Sequence, residues 1–440
     1  MRVQIARMAG PAARLKGEDG AITAFSAFLF IIALLFGGLA IDVSNLMTAR
    51  TRLQVASDAA AHAALLARET ETEAQSVAAG VEVATLNMPV GIYGNVMLPS
   101  DITFGVWDSA LHNFIPMAGS KSAVMVEPKT AVERQNPVAT YLLKMVGVDA
   151  WNVRVYSVFT TYHPTCFLEG FVAKGVVDLQ SNNSYTNGFC IHSNEYVSLN
   201  SNNYFEPGTV VSMPDTTRID LPNSGFASND GLSQALREGS FYIRIIERID
   251  EIVAGLNDFT SDYMPDYITS TTIVTLASNK AIDQTMLVPG SLHKMTCNNG
   301  NQVNVSAGTL FQNLVLITNC GIKFGHGAAL EDAIIATTST DTNSFNSASG
   351  LRVGRDDACA DGGGAQLVTM GGMNFPADLQ VYGGQLLAKG TISFAANANG
   401  VEGASFVAGG EISGTSNMAM GFCGSGMDDN LHAEYFRLSY

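Results

Sequence analysis

Side-chain types and spacing could do chemistry in two short acidic clusters. Asp356, Asp357 and Asp361 lie in GRDDACADGGG, and Asp428 and Asp429 lie in GSGMDDN. Carboxylates in a glycine-rich loop can coordinate Ca²⁺ through oxygen, or serve as the acid pair of a polysaccharide-cleaving enzyme. The plain alternative is a solvated turn, tethered by the adjacent Cys359. Other signatures are missing: the chain has no GxxxxGK[ST], HExxH or GxSxG. Its seven histidines (His62, His112, His163, His192, His293, His326, His432) show no ligand-like spacing. No catalytic residue and no cofactor are expected; Asp356, Asp357 and Asp361 are the candidates for a metal.

The six cysteines suit covalent chemistry better than metal binding. No CxxC occurs, and Cys166, Cys190, Cys297, Cys320, Cys359 and Cys423 all follow residue 160. In an exported segment disulfides are expected. Cys166 and Cys190 are 24 residues apart, and Cys297 and Cys320 are 23 apart, which leaves Cys359 with Cys423.

Composition limits the classes that remain. With 24 Lys+Arg against 40 Asp+Glu the formal net charge is −16, which repels phosphate and argues against nucleic acid as the main partner. Residues 21–41 (AITAFSAFLFIIALLFGGLAI) carry no charge, and that many helical residues span about 30 Å, the hydrocarbon thickness of a bilayer. Arg2, Arg7, Arg14 and Lys16 precede the span, so the positive-inside rule places residues 1–20 in the cytoplasm and the rest outside. No Pro or Gly interrupts residues 41–69, which with the apolar run predicts one helix from Ala21 to Leu86, ended by Asn87-Met88-Pro89. Its alanines, Ala60 and Ala64 among them, form a small-residue face on which another helix could dock.

Residues 89–163 read as a small α+β, pilin-like unit. ITFGVWD and SAVMVEP alternate with period two, and Asn136-Pro137 with Gly147 bracket a predicted helix over VATYLLKMV. Residues 164–440 read as a mainly β domain. FVAKGVVDLQSNN (171–183) aligns without gaps on IHSNEYVSLNSNN (191–203), 20 residues later. Weaker echoes relate 173–179 to 388–394, and 322–335 to 392–407. Short β runs with Asn and Gly at corners and a 20-residue period predict a parallel β-helix whose coils stack on one another. A β-sandwich is the alternative. Cysteines about one coil apart would then bridge neighbouring coils. A helical insertion near 232–259, with Ile245, Ile249, Ile252 and Leu256 at helical spacing, would cap the solenoid or cover its side.

The N-terminal stretch resembles the TadG-like branch of the Tad/Flp pilus-assembly family. Gly20, Asp42 at the exit of the span, Arg50, Leu53-Gln54 and Asp58-Ala59-Ala60-Ala61 carry the resemblance. It implies a single-pass protein of the bacterial inner membrane with periplasmic domains. Asp42, Asp58, Ala60 and Ala64 would be helix-packing positions, with pilins and other assembly proteins as partners. The expected function is a non-enzymatic, pseudopilin-like or minor-pilin-like role in pilus biogenesis and adherence, in the inner membrane or at the cell surface or pilus. The alternative is a membrane-tethered β-helix that binds or cleaves extracellular polysaccharide, with a surface glycan as its partner.

Overall fold

The computed structural model describes residues 19–440 other than 299–300, 359, 422, 424–426 and 428–429. The chain forms two compact units, Met1–Tyr162 with Glu434–Tyr440, and His163–Ala433. The last seven residues, part of the 164–440 segment in the sequence reading, therefore belong to the first unit.

In the first unit, helix α1 runs Asp19–Arg68 and helix α2 runs Glu73–Asn87. The single helix predicted to Leu86 is thus broken at residues 69–72. Thr72 breaks it: its backbone is extended, its hydroxyl accepts from Gln75 N, and the Gln75 side chain reaches back to Thr72 N. This reciprocal capping box starts a new helix, and α2 folds back on α1. Leu53, Ala56, Ala60, Ala61, Ala64 and Leu65 are buried. A Cβ on Gly80 of α2 would lie 3.1 Å from Ala64 Cβ and 3.2 Å from the Ala60 carbonyl oxygen. The small-residue face is therefore filled by the chain's own second helix.

An antiparallel sheet completes this unit, in the order Asn113–Pro116, Ile102–Asp108, Ala123–Val126, Ser157–Tyr162, Tyr435–Leu438. The alternating ITFGVWD and SAVMV runs are two of its strands, as their period predicts. The helix predicted over 137–146 does not form. Val138–Ala139 pairs with Ala150–Trp151, and only Leu143–Val146 turns, as 3-10 helix. Asn136 accepts from Ala131 N and donates to Tyr93 O, so it is not free to cap. Gly147 ends the turn with φ +88°, as its type predicts.

The second unit is a parallel β-solenoid. Register follows the repeat: Phe171 faces Ile191, Val177 faces Val197 and Leu179 faces Leu199. The second echo also shares a row, Ile322 to Phe345 to Met373 to Ile392. At the corner, Asn183 N donates to Asn203 Oδ1, Asn203 N to Asn229 Oδ1, and Met418 N to Asn183 Oδ1. Asparagine thus ladders from coil to coil.

Coil order along the axis does not follow the chain. Gly170–Ala173 lies between Cys190–Ser193 and the strand Ile392–Ala408. The chain enters mid-solenoid and builds outward through Val210–Met213 to Leu236–Glu238. It then restarts at Ser270–Leu276 and returns coil by coil to the entry point. The intervening segment holds two short helices, Arg244–Glu247 and Ile249–Gly255, with Ile245, Ile249, Ile252 and Leu256 buried. It lies on the solenoid's side, pairing Glu247 with Lys174 and Asp250 with Lys389. Leu236–Glu238, within the predicted helical insertion, is instead a strand that closes a coil.

Candidate functional site

In the first unit the polar residues of α1 converge on the β segment. Asp42 is buried and its carboxylate accepts from the backbone N–H groups of Tyr141 (2.6 Å), Leu142 (3.0 Å) and Leu143 (2.6 Å). It therefore caps the Leu143–Val146 turn from about a hundred residues away, which satisfies N–H groups that a turn leaves orphaned. About three turns later, Gln54 Nε2 donates to Asp58 Oδ1 and Ser157 Oγ, both at 2.9 Å. The Ser157 hydroxyl also donates to Asp58, and Ser57 Oγ reaches Val126 O at 3.3 Å. This network ties the helix to two strands of the sheet. Arg134 and Asp101 form a further ion pair at 2.6 Å, with both side chains under 10% exposed.

In the apolar half of α1 most side chains are exposed. Phe25, Phe28, Phe30 and Phe36 are 60–69% exposed, where a soluble core helix would bury them. Ile22–Arg68 is long and apolar enough to cross a membrane. The basic flank that sets its expected orientation lies outside the described residues. Just beyond the apolar stretch, a cavity of about 310 Å³ is lined by Asn45, Thr48, Arg52, Tyr93, Asn136 and Tyr141, among others.

Candidates for chemistry in the second unit are dispersed or engaged. Asp357 pairs with Arg355 at 2.8 Å and accepts from Ala360 N, while Asp356 and Asp361 are exposed. Among the described residues these three carboxylates do not converge within ligand distance. Asp428 and Asp429 lie outside the described residues. Cys166–Cys190 and Cys297–Cys320 are disulfides, with Cα separations of 4.9 and 5.3 Å, as the coil spacing predicts. The third expected pair rests on Cys359, also outside the described residues.

Sequence spacing misses two histidine arrangements that folding assembles. The His163 and His432 rings lie 4.4 Å apart, and burial first, then the neighbouring imidazole, lowers the His163 pKa. His192 is buried, with Nδ1 2.7 Å from Ser212 Oγ and Nε2 3.0 Å from Asn194 Oδ1. Ser, His and Asn at these distances have the reach of a nucleophile, base and orienting group. Ser212 is only 4% exposed, however, and the Phe241 ring meets the imidazole edge-on at 4.7 Å. Asn194 also accepts from Phe241 N at 3.1 Å and donates to Phe241 O at 2.7 Å. The cluster thus pins the covering segment to its coil.

Fold and site together define a membrane-helix protein whose α+β unit is followed in sequence by a β-solenoid. The family described as Domain of unknown function (DUF7867) matches residues 170–424, more than half of the chain, so the chain belongs to that family. Residues 20–79 match the TadE/G-like Flp pilus-assembly family. The TadG-like resemblance is thus confirmed for α1 and the first turns of α2, and it supports a role in Tad/Flp pilus assembly. Neither curated proteins nor solved structures give a match.

Proposed function

We propose that the protein is a non-enzymatic, membrane-anchored component of Tad/Flp pilus assembly, pseudopilin-like or minor-pilin-like in action. Its N-terminus is cytoplasmic and both units are exported to the periplasm. The observation that carries this reading is the TadE/G-like match over residues 20–79, whose Asp42, Gln54 and Asp58 build the helix-on-sheet unit. Because Ala60 and Ala64 are covered by α2, contacts with pilins fall to the exposed apolar half of α1.

Deleting the gene is expected to reduce sheared surface pili and surface attachment, and complementation should restore both. Replacing residues 22–37 with an unrelated apolar span should leave the protein in the membrane and fail to complement. A phosphatase active only after export, fused after Tyr440, should be active. Normal piliation and attachment in the deletion strain would reject the reading, as would exopolysaccharide depolymerisation by the purified full-length protein.

A further inference from the structure

The described part of α1 up to Ile41 is exposed nearly all round, yet Gly38 and Asp42 are buried one turn apart on one face. Their cover is the loop at 140–148. A Cβ on Gly38 would lie 2.8 Å from Leu142 Cβ and 3.2 Å from its Cδ1, so glycine is what lets the loop seat there. Gly38 stands three residues before Ile41, which puts Leu142 about 4.5 Å inside the end of the uncharged run. The loop therefore reaches the depth of the membrane span.

Its composition suits that depth. Tyr141 is 65% exposed, Met145 84% and Val146 58%, where single exposed apolar residues are ordinary but a contiguous group marks an interaction surface. Backbone entering lipid must have its N–H groups satisfied, and six of those in 141–148 are. Asp42 takes those of Tyr141, Leu142 and Leu143, and the turn takes those of Met145, Gly147 and Val148. Lys144 is exposed, on a stem long enough to carry its charge to the phosphate level. Tyrosine favours the same interface.

We propose that residues 140–148 form a second membrane contact, inserting Tyr141, Leu142, Met145 and Val146 into the acyl–headgroup boundary of the bilayer that α1 crosses. The occupant is lipid because the surface is continuous with the lipid-facing helix on which Leu142 sits. The inference rests on α1 spanning the bilayer.

Full-length protein in phosphatidylcholine–phosphatidylglycerol vesicles tests it. An environment-sensitive fluorophore is attached at Met145→Cys, at Phe36→Cys as the lipid reference, or at Lys121→Cys as the aqueous reference. Among the described residues no native cysteine is free to compete. The Met145 probe should be blue-shifted, quenched by lipids spin-labelled high on the acyl chain, and shielded from iodide, as at Phe36. Iodide quenching equal to that at Lys121, with Phe36 still lipid-quenched, would overturn the loop insertion alone. Iodide access at Phe36 would instead remove the spanning reading and the inference with it.

Discussion

The two units hold together by opposite strategies. In the first, individual polar residues of one helix reach specific backbone and side-chain groups about a hundred positions later: Asp42 to the 141–143 turn, Gln54 and Asp58 to Ser157. No contact repeats another. In the second, each residue's main neighbour is its own equivalent one coil away, as Val177 meets Val197 and Asn183 meets Asn203. The difference shows where function can be written. A repeated register tolerates loops between its strands without losing its core, whereas the helix of the first unit carries a non-repeating pattern that the TadE/G-like match follows.

Four substitutions, one of them read through a titration, would break or sharpen this contrast. The largest effect is expected at Phe171, fully buried with ring centroids 5.0 Å from Phe189, 5.4 Å from Phe394 and 5.0 Å from Phe406. It fills the seam where the entry coil meets the returning one. Phe171→Ala should cost about 3–5 kcal/mol, read as lost amide protection in coils on both sides of the seam. Loss confined to 170–213 would show that repetition does not couple the coils.

Ala64→Leu comes next. Ala64 is fully buried against Gly80, so the larger side chain must overpack the hairpin, at about 1–3 kcal/mol. Amide exchange should rise in α1 and α2 and leave the solenoid unchanged. A variant with native exchange and defective piliation would return this face to a partner helix.

A titration separates the units by charge. Burial lowers the pKa of His192 and of His293 below the ordinary 6.5. The unfolded chain therefore binds the proton first. Stability is fully present above about pH 6.5 and declines below it until the folded-state pKa is passed. Thermal unfolding of the solenoid should follow that decline, and His192→Gln should reduce its slope. An unchanged slope would assign the proton uptake elsewhere.

The smallest effect is expected at the covering segment. Lys389 and Asp250 pair with 31% and 60% of their side chains exposed, so Lys389→Ala should cost less than about 1 kcal/mol. The exchange rate of 244–255 should rise only slightly. A large rise would make that ion pair, not the buried Ile245, Ile249 and Ile252, the anchor.

Features legible in the sequence are those set by distance along the chain. The uncharged run of 21–41 is long enough for a bilayer whatever surrounds it. The 20-residue repeat determined the coil register, and cysteines one coil apart found each other because stacking brings such positions within bridging distance. The Thr72-x-x-Gln75 cap was also legible, and an uninterrupted run of good helix formers concealed it. Tertiary structure alone decided what lies across from each surface. Ala60 and Ala64 offer a face that any helix could use, and α2 occupies it because the cap at Thr72 turns the chain back. Asp42 caps a turn about a hundred residues away, and the solenoid starts in its middle. Tyr435–Leu438 joins the strand at Ser157–Tyr162. Periodicity encodes which side of an element is buried, whereas its partner is selected by packing among all competing surfaces at once, a quantity no local window contains.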